Sequence, residues 1–172
     1  MNRRRPVLEP QTPGPKSRGL SKLHWVFRFG TLLGLAACRA TTPLAPVNLS
    51  EGGWTIRHGQ AVWRQETKAP EIAGELLLAT GPARRAFVQF TKTPLPVVVA
   101  QTTSDAWQIE FVPDHRTYSG RGQPPQLAWL QLASCLAGVA PPPGWRWEKF
   151  DDARWRLENK VSGEMLEGYL AP

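Results

Sequence analysis

The most regular feature of this chain is a hydrophobic period of two. In "AWQIEFV", Trp107, Ile109 and Phe111 fall on one side and Ala106, Gln108 and Glu110 on the other. In "ARWRLENK", Ala153, Trp155 and Leu157 oppose Arg154, Arg156, Glu158 and Lys160. Such alternation marks strands with one buried face. "WTIRHGQAVW", "GELLLAT", "RAFVQFT", "PVVVAQT", "RTYSGRG", "WRWEKF" and "GEMLEGYL" read the same way, and Gly, Pro, Asp and Asn signals separate them. Short strands punctuated by turns predict an antiparallel meander. The segment "PPQLAWLQLASCLAG" departs from this pattern. Proline at its start and Gly138 at its end are helix punctuation, and Leu127, Leu130, Ser134 and Ala137 share one side of the helix it predicts, with Trp129, Leu132 and Leu136 beside them, so that the apolar arc is broad. The fold class is therefore mainly β (α+β): a curved antiparallel sheet or half-barrel of eight or nine strands with one main helix.

Some strands are apolar on both sides. Leu95, Val97 and Val99 oppose Val98 and Ala100, and Leu76 and Leu78 oppose Leu77. A sheet of this kind is covered on both faces or curls round an apolar interior.

Charge changes the picture only through its distribution. The chain of 172 residues has a net charge of +7 from 21 Lys/Arg and 14 Asp/Glu. Seven of the basic residues (Arg3, Arg4, Arg5, Lys16, Arg18, Lys22 and Arg28) and one acid, Glu9, precede residue 38, leaving 14 basic against 13 acidic residues. The remainder lacks the basic stripe of a nucleic-acid binder, so no nucleic-acid partner is expected.

The basic residues sit ahead of "FGTLLGLAAC", ten uncharged residues from Phe29 to Cys38. This run falls short of the roughly 20 apolar residues that cross a bilayer. A basic region, a short apolar region and small residues in that order are those of a secretory leader. A start near Leu20 would make that leader conventional in length. Leu35-Ala36-Ala37-Cys38 resembles the bacterial lipobox, where a leader is cut and the cysteine acquires a diacylglyceryl group. The alternative is an ordinary leader followed by an incidental cysteine. The lipobox resemblance implies a signal peptide at 1–37, a mature chain beginning at the lipidation site Cys38, and a tether at 38–52. By enterobacterial sorting rules, Arg39 after the cysteine implies the outer membrane. "RATTPLAPVNLSEG" has the proline spacing of extended chain, which at roughly 3 Å per residue spans about 40 Å.

With Cys38 lipidated, Cys135 is left alone, so neither a disulfide nor a structural zinc site is available. Cys135 lies in an apolar segment, where a buried inert thiol is the expectation. A nucleophilic role would need His58 or His115 beside it. Asp151-Asp152 suggests a solvated turn, and Glu164 and Glu167 receive the same reading. No phosphate loop, metal-ligand cluster or serine elbow is recognisable. No cofactor and no enzymatic activity are expected.

The run from Gly74 to Gly120 resembles the lipoprotein-carrier and lipoprotein-receptor superfamily of Gram-negative envelopes, the LolA and LolB type. The resemblance lies in the order of pieces Gly74–Thr80, Arg84–Thr91, Pro94–Gln101, Ser104-Asp105, Trp107–Phe111 and Pro113-Asp114. Such proteins begin with an amphipathic helix, and "TTPLAPVNLSEGG" is a poor one. The resemblance implies an antiparallel half-barrel over 53–172, capped by helix, whose hydrophobic cavity takes acyl chains. Lipidation would make this chain more like the receptor than the soluble carrier.

The composition adds an independent point. Of eight tryptophans, seven follow the leader, and indoles suit cavity walls and membrane-facing rims as well as a small core. Trp107, Ile109, Phe111, Trp129 and Leu132 are the expected lining of a lipid pocket, because one strand face and one helix face are both apolar. Two functions remain open. One is an anchored envelope protein that binds lipid or acyl chains, with a part in lipoprotein localisation. The other is an anchored interaction or structural module with a filled core.

Overall fold

The computed structural model describes residues 43–171. Residues 1–37, read above as a leader, and Cys38 lie outside the described residues. Nine strands form one antiparallel sheet: β1 (Thr55–Arg64), β2 (Ile72–Thr80), β3 (Ala86–Lys92), β4 (Leu95–Thr102), β5 (Ala106–Phe111), β6 (Arg116–Arg121), β7 (Trp145–Lys149), β8 (Arg154–Asn159) and β9 (Met165–Leu170). One helix, α1 (Ala128–Leu136), separates β6 from β7. The spatial order is β6-β5-β4-β3-β2-β1-β9-β8-β7. The sheet is thus not closed, and β6 and β7 are its edges.

Register places the alternating side chains on two faces. Leu76, Phe90 and Val98 are cross-strand partners in one line, as are Leu78, Val88, Ala100 and Ile109. Trp63, Leu166 and Leu157 continue the same face on β1, β9 and β8. All of these are buried, and together with α1 they form the core. Strands β4 and β8 lie five places apart, about 24 Å across a flat sheet. A helix about 10 Å wide touches both, so the sheet curves round it.

Helix α1 has nine residues, too few to be stable alone. It is held by Ala128, Trp129, Leu132 and Cys135, which are buried along with Leu130 and Gln131. The helix is shorter than its punctuation suggested, and within the broad apolar arc the buried part is Trp129, Leu130 and Leu132, with Leu127 and Leu136 half-buried. Ser134 and Ala137 are exposed. The reason is that Trp129 takes the centre of the sheet, and its bulk sets the rotation of a short helix. The helix stops at Gly138, whose φ of +85° suits a residue without Cβ. Gly138 N–H donates to Cys135 O at 3.0 Å and Val139 N–H to Ser134 O at 2.9 Å, the paired bonds of a Schellman end.

The doubly apolar strand β4 has a local explanation. Phe90 pairs with Val98, but Thr91 pairs with Pro96. Val97 is the extra residue of a bulge. The bulge breaks the period of two, so Val97 packs against the core beside Val98. Leu95 beyond it is 67% exposed.

The described part of the segment read as a tether rests on the sheet. Leu44 N–H donates to Gln108 Oε1 at 2.8 Å, and residues from Leu44 to Asn48 border a hollow shared with Arg85, Gln101 and Thr102. Further on, the Arg85 guanidinium lies 4.6 Å from the centre of the Trp54 ring, a cation–π contact.

Candidate functional site: an aromatic ladder and an outer groove

Five rings run from one end of the sheet into the core. Tyr118 of β6 meets Phe111 of β5 edge-on at 6.3 Å. Phe111 stacks on Trp63 of β1 at 6.2 Å. Trp63 meets Trp129 of α1 edge-on at 5.5 Å, and Trp129 lies 4.9 Å from Phe90 of β3. At the outer end a hollow of about 240 Å³ opens between Trp63, Val97, Phe111 and Tyr118. That is below the 300–1,000 Å³ of typical ligand sites.

The structure brings the five expected pocket residues into one cluster, with differing exposure. Ile109 and Leu132 have no exposed surface and Trp129 has 1%. Trp107 and Phe111 are half-buried against the same core. The Trp107 indole covers Gly120, where an added Cβ would lie 2.6 Å from the ring. Of the five, Phe111 alone borders the hollow at the mouth. Trp63 and Tyr118 belong to the ladder but could be assigned from sequence only to unpaired strands; their meeting depends on the sheet's curvature.

Glu164 is not a solvated turn residue. It is 6% exposed. Its Oε1 accepts the Ala128 N–H at 3.3 Å and the Trp63 indole N–H at 3.4 Å. The residue before α1, Leu127, offers no side-chain cap, so Glu164 from the β8–β9 turn caps the helix instead. Burial, opposed by these two hydrogen bonds, pushes its carboxyl up to about 7. Asp151 matches the turn reading: it accepts the Ala153 and Arg154 N–H groups at 2.9 and 2.7 Å. Those bonds and the Arg154 side chain hold its carboxyl down at about 2.

Three indole N–H groups, those of Trp129, Trp145 and Trp155, are buried without an acceptor among the described residues. Buried donors are nearly always paired, so these three stand out. Cys135 is buried and free, and burial pushes its thiol up to about 11, far from the thiolate a nucleophile needs. Among the described residues, no three His, Cys, Asp or Glu side chains are placed to share a metal ion. No helix among them is long and apolar enough to cross a membrane.

A larger concavity lies on the opposite face of the sheet. Glu75, Gln60, Tyr169 and Arg154 are register partners across β2, β1, β9 and β8, and all four are exposed. Ala73, Val62 and Glu167 form the adjacent row. Phe150 and Thr93, from the β7–β8 and β3–β4 turns, also border this groove of about 660 Å³. Gly74, Ala61 and Gly168 contribute its floor, where inner-face positions without large side chains keep the backbone near the surface.

Comparison with protein-family models gives no match for this chain, and comparison with curated proteins gives no significant match.

Proposed function

We propose that the chain is a membrane-anchored envelope lipoprotein, held through Cys38, that takes an acyl chain against the ladder between sheet and helix. The resemblance to the carrier and receptor proteins extends this to lipoprotein localisation at the periplasmic face of the outer membrane. The observation that carries the reading is the unbroken series of rings from Tyr118 to Phe90, bordered by an open sheet edge. The unpaired Trp129 N–H beside it would donate to an ester or carboxyl oxygen. Room for a chain would require α1 to shift, and the segments flanking it, 122–127 and 137–144, contain no strand or helix.

The second reading, an anchored module with a filled core, is favoured by the complete burial of Ile109, Trp129 and Leu132. Two measurements separate the readings. Membrane fractionation with mass spectrometry is expected to find diacylglyceryl on Cys38, and Cys38→Ser to release the protein from membranes. A free Cys38 thiol in membrane-processed protein would end the lipoprotein reading. Titration with the fluorescent fatty acid cis-parinaric acid is expected to saturate, with binding weakened by Phe111→Ala. No fluorescence change at any ratio would leave the filled-core module.

A further inference from the structure

We propose that the groove on the outer face of the sheet, across β2, β1, β9 and β8, is a binding site for a neutral saccharide chain. The proposal is independent of the acyl-binding reading, because this face is turned away from α1.

The lining supports a ligand with both apolar and hydroxylated faces. Tyr169 and Phe150 are 42% and 55% exposed. Exposed rings of this kind offer flat apolar surface to the C–H face of a pyranose, and Tyr169 adds a hydroxyl. Gln60 both donates and accepts, and Glu75 accepts. Glu75 Oε1 is engaged only by the Thr93 hydroxyl at 3.3 Å, while the Gln60 and Tyr169 side chains take no hydrogen bond from the described residues. Three strand spacings separate Glu75 from Arg154, about 14 Å. That row is long enough for an oligosaccharide rather than a single ring.

Charge and backbone exclude the main competitors. The Arg154 guanidinium faces Asp151 at 2.7 Å. Neighbouring Arg156 is shared between Glu158 and Glu167 at 3.3 and 3.4 Å. Both cations thus already face carboxylates, and Glu75 and Glu167 would repel an anionic lipid. An extended peptide is held by main-chain bonds to a strand edge, but these four strands are all internal to the sheet. A hydroxylated, uncharged ligand meets neither obstacle.

The test is calorimetric titration of the purified full chain with chitohexaose and with cellohexaose. Saturable binding is expected, and Tyr169→Ala and Phe150→Ala should each weaken it roughly tenfold, about 1.4 kcal/mol. Circular dichroism should show the sheet retained in both variants. Val161→Ala, on the remote β8–β9 turn, should bind as the parent does. Preference for chitohexaose would identify an N-acetylated amino-sugar glycan as the source, preference for cellohexaose a glucan, and equal binding of both recognition of the pyranose faces they share. The proposal is overturned if neither oligosaccharide binds, or if either binds equally well to folded Tyr169→Ala and Phe150→Ala. It is also overturned if these substitutions instead abolish self-association of the chain.

Discussion

Glu164 joins three parts of the molecule that are distant in sequence: the β8–β9 turn it sits on, the start of α1 and the Trp63 indole. Its carboxyl titrates near 7 when folded, against 4.5 for an ordinary glutamate. The folded state therefore binds the proton more tightly than the unfolded chain, and the linked stability is present in full below pH 4.5. It is lost as pH rises through about 7, with a ceiling of about 3 kcal/mol at 1.36 kcal/mol per pH unit. Glu164→Gln keeps an acceptor for both N–H groups and removes the charge. Urea unfolding at pH 5 and pH 8 is expected to show the parent weaker at pH 8 and the variant nearly level. A variant with the parent's slope would mean that another group carries the titration. None of this was legible in the sequence, where Glu164 sits in a plain turn signal. The helix it caps begins 36 residues earlier, and local pattern has no means of pairing positions so far apart. Asp151 was legible, because its partners are its own neighbours.

At the scale of elements, the period of two located every strand, since each side chain's face is decided within its own strand. It failed at Val97, where a bulge inserts one residue, and on the helix it gave an apolar arc too broad to tell which part is buried, which the fit of one indole decides. The five expected pocket residues share one apolar cluster, but whether that surface holds a ligand or is filled depends on helix placement, which periodicity does not encode. The groove was missed for a related reason. Its polar row is assembled from four strands, and each contributes a residue that reads as ordinary solvent face. Sheet curvature also leaves a local mark. A Cβ on Gly59 would land on the Tyr169 carbonyl of β9, and one on Gly74 would meet the Phe90 ring at 2.9 Å. Gly59→Ala must push β1 away from β9, because backbone cannot yield as a flexible side chain can. A loss of about 3 kcal/mol or more is expected, at the upper end of ordinary substitutions, and thermal unfolding would measure it. An unchanged midpoint would mean that the strands separate there without cost.

Over the whole molecule the decisive feature is strand order. The chain winds from β1 outward to β6, crosses by α1 to the far edge, and returns through β7 and β8 to β9. The last strand then pairs with the first, with Gly59 opposite Leu170 and Trp63 opposite Leu166. Ending the chain after Gly163 deletes β9 with Glu164, Met165, Leu166 and Leu170, all buried. At about 1.5–3 kcal/mol for each large apolar side chain, the three apolar ones approach the whole stability of a typical domain, about 5–15 kcal/mol. The truncated chain is expected in the insoluble fraction, and a soluble product with the parent's far-ultraviolet dichroism would contradict this.

That closure also fixes an order of events during synthesis. A chain emerging with β1 first cannot complete its sheet until the residues around Leu170 have been made, and before then neither side of the β1–β9 seam is satisfied. Until then the β1–β9 seam stays open, the condition under which a leader of the kind proposed for residues 1–37 would carry the chain through a narrow translocation channel before its sheet is complete.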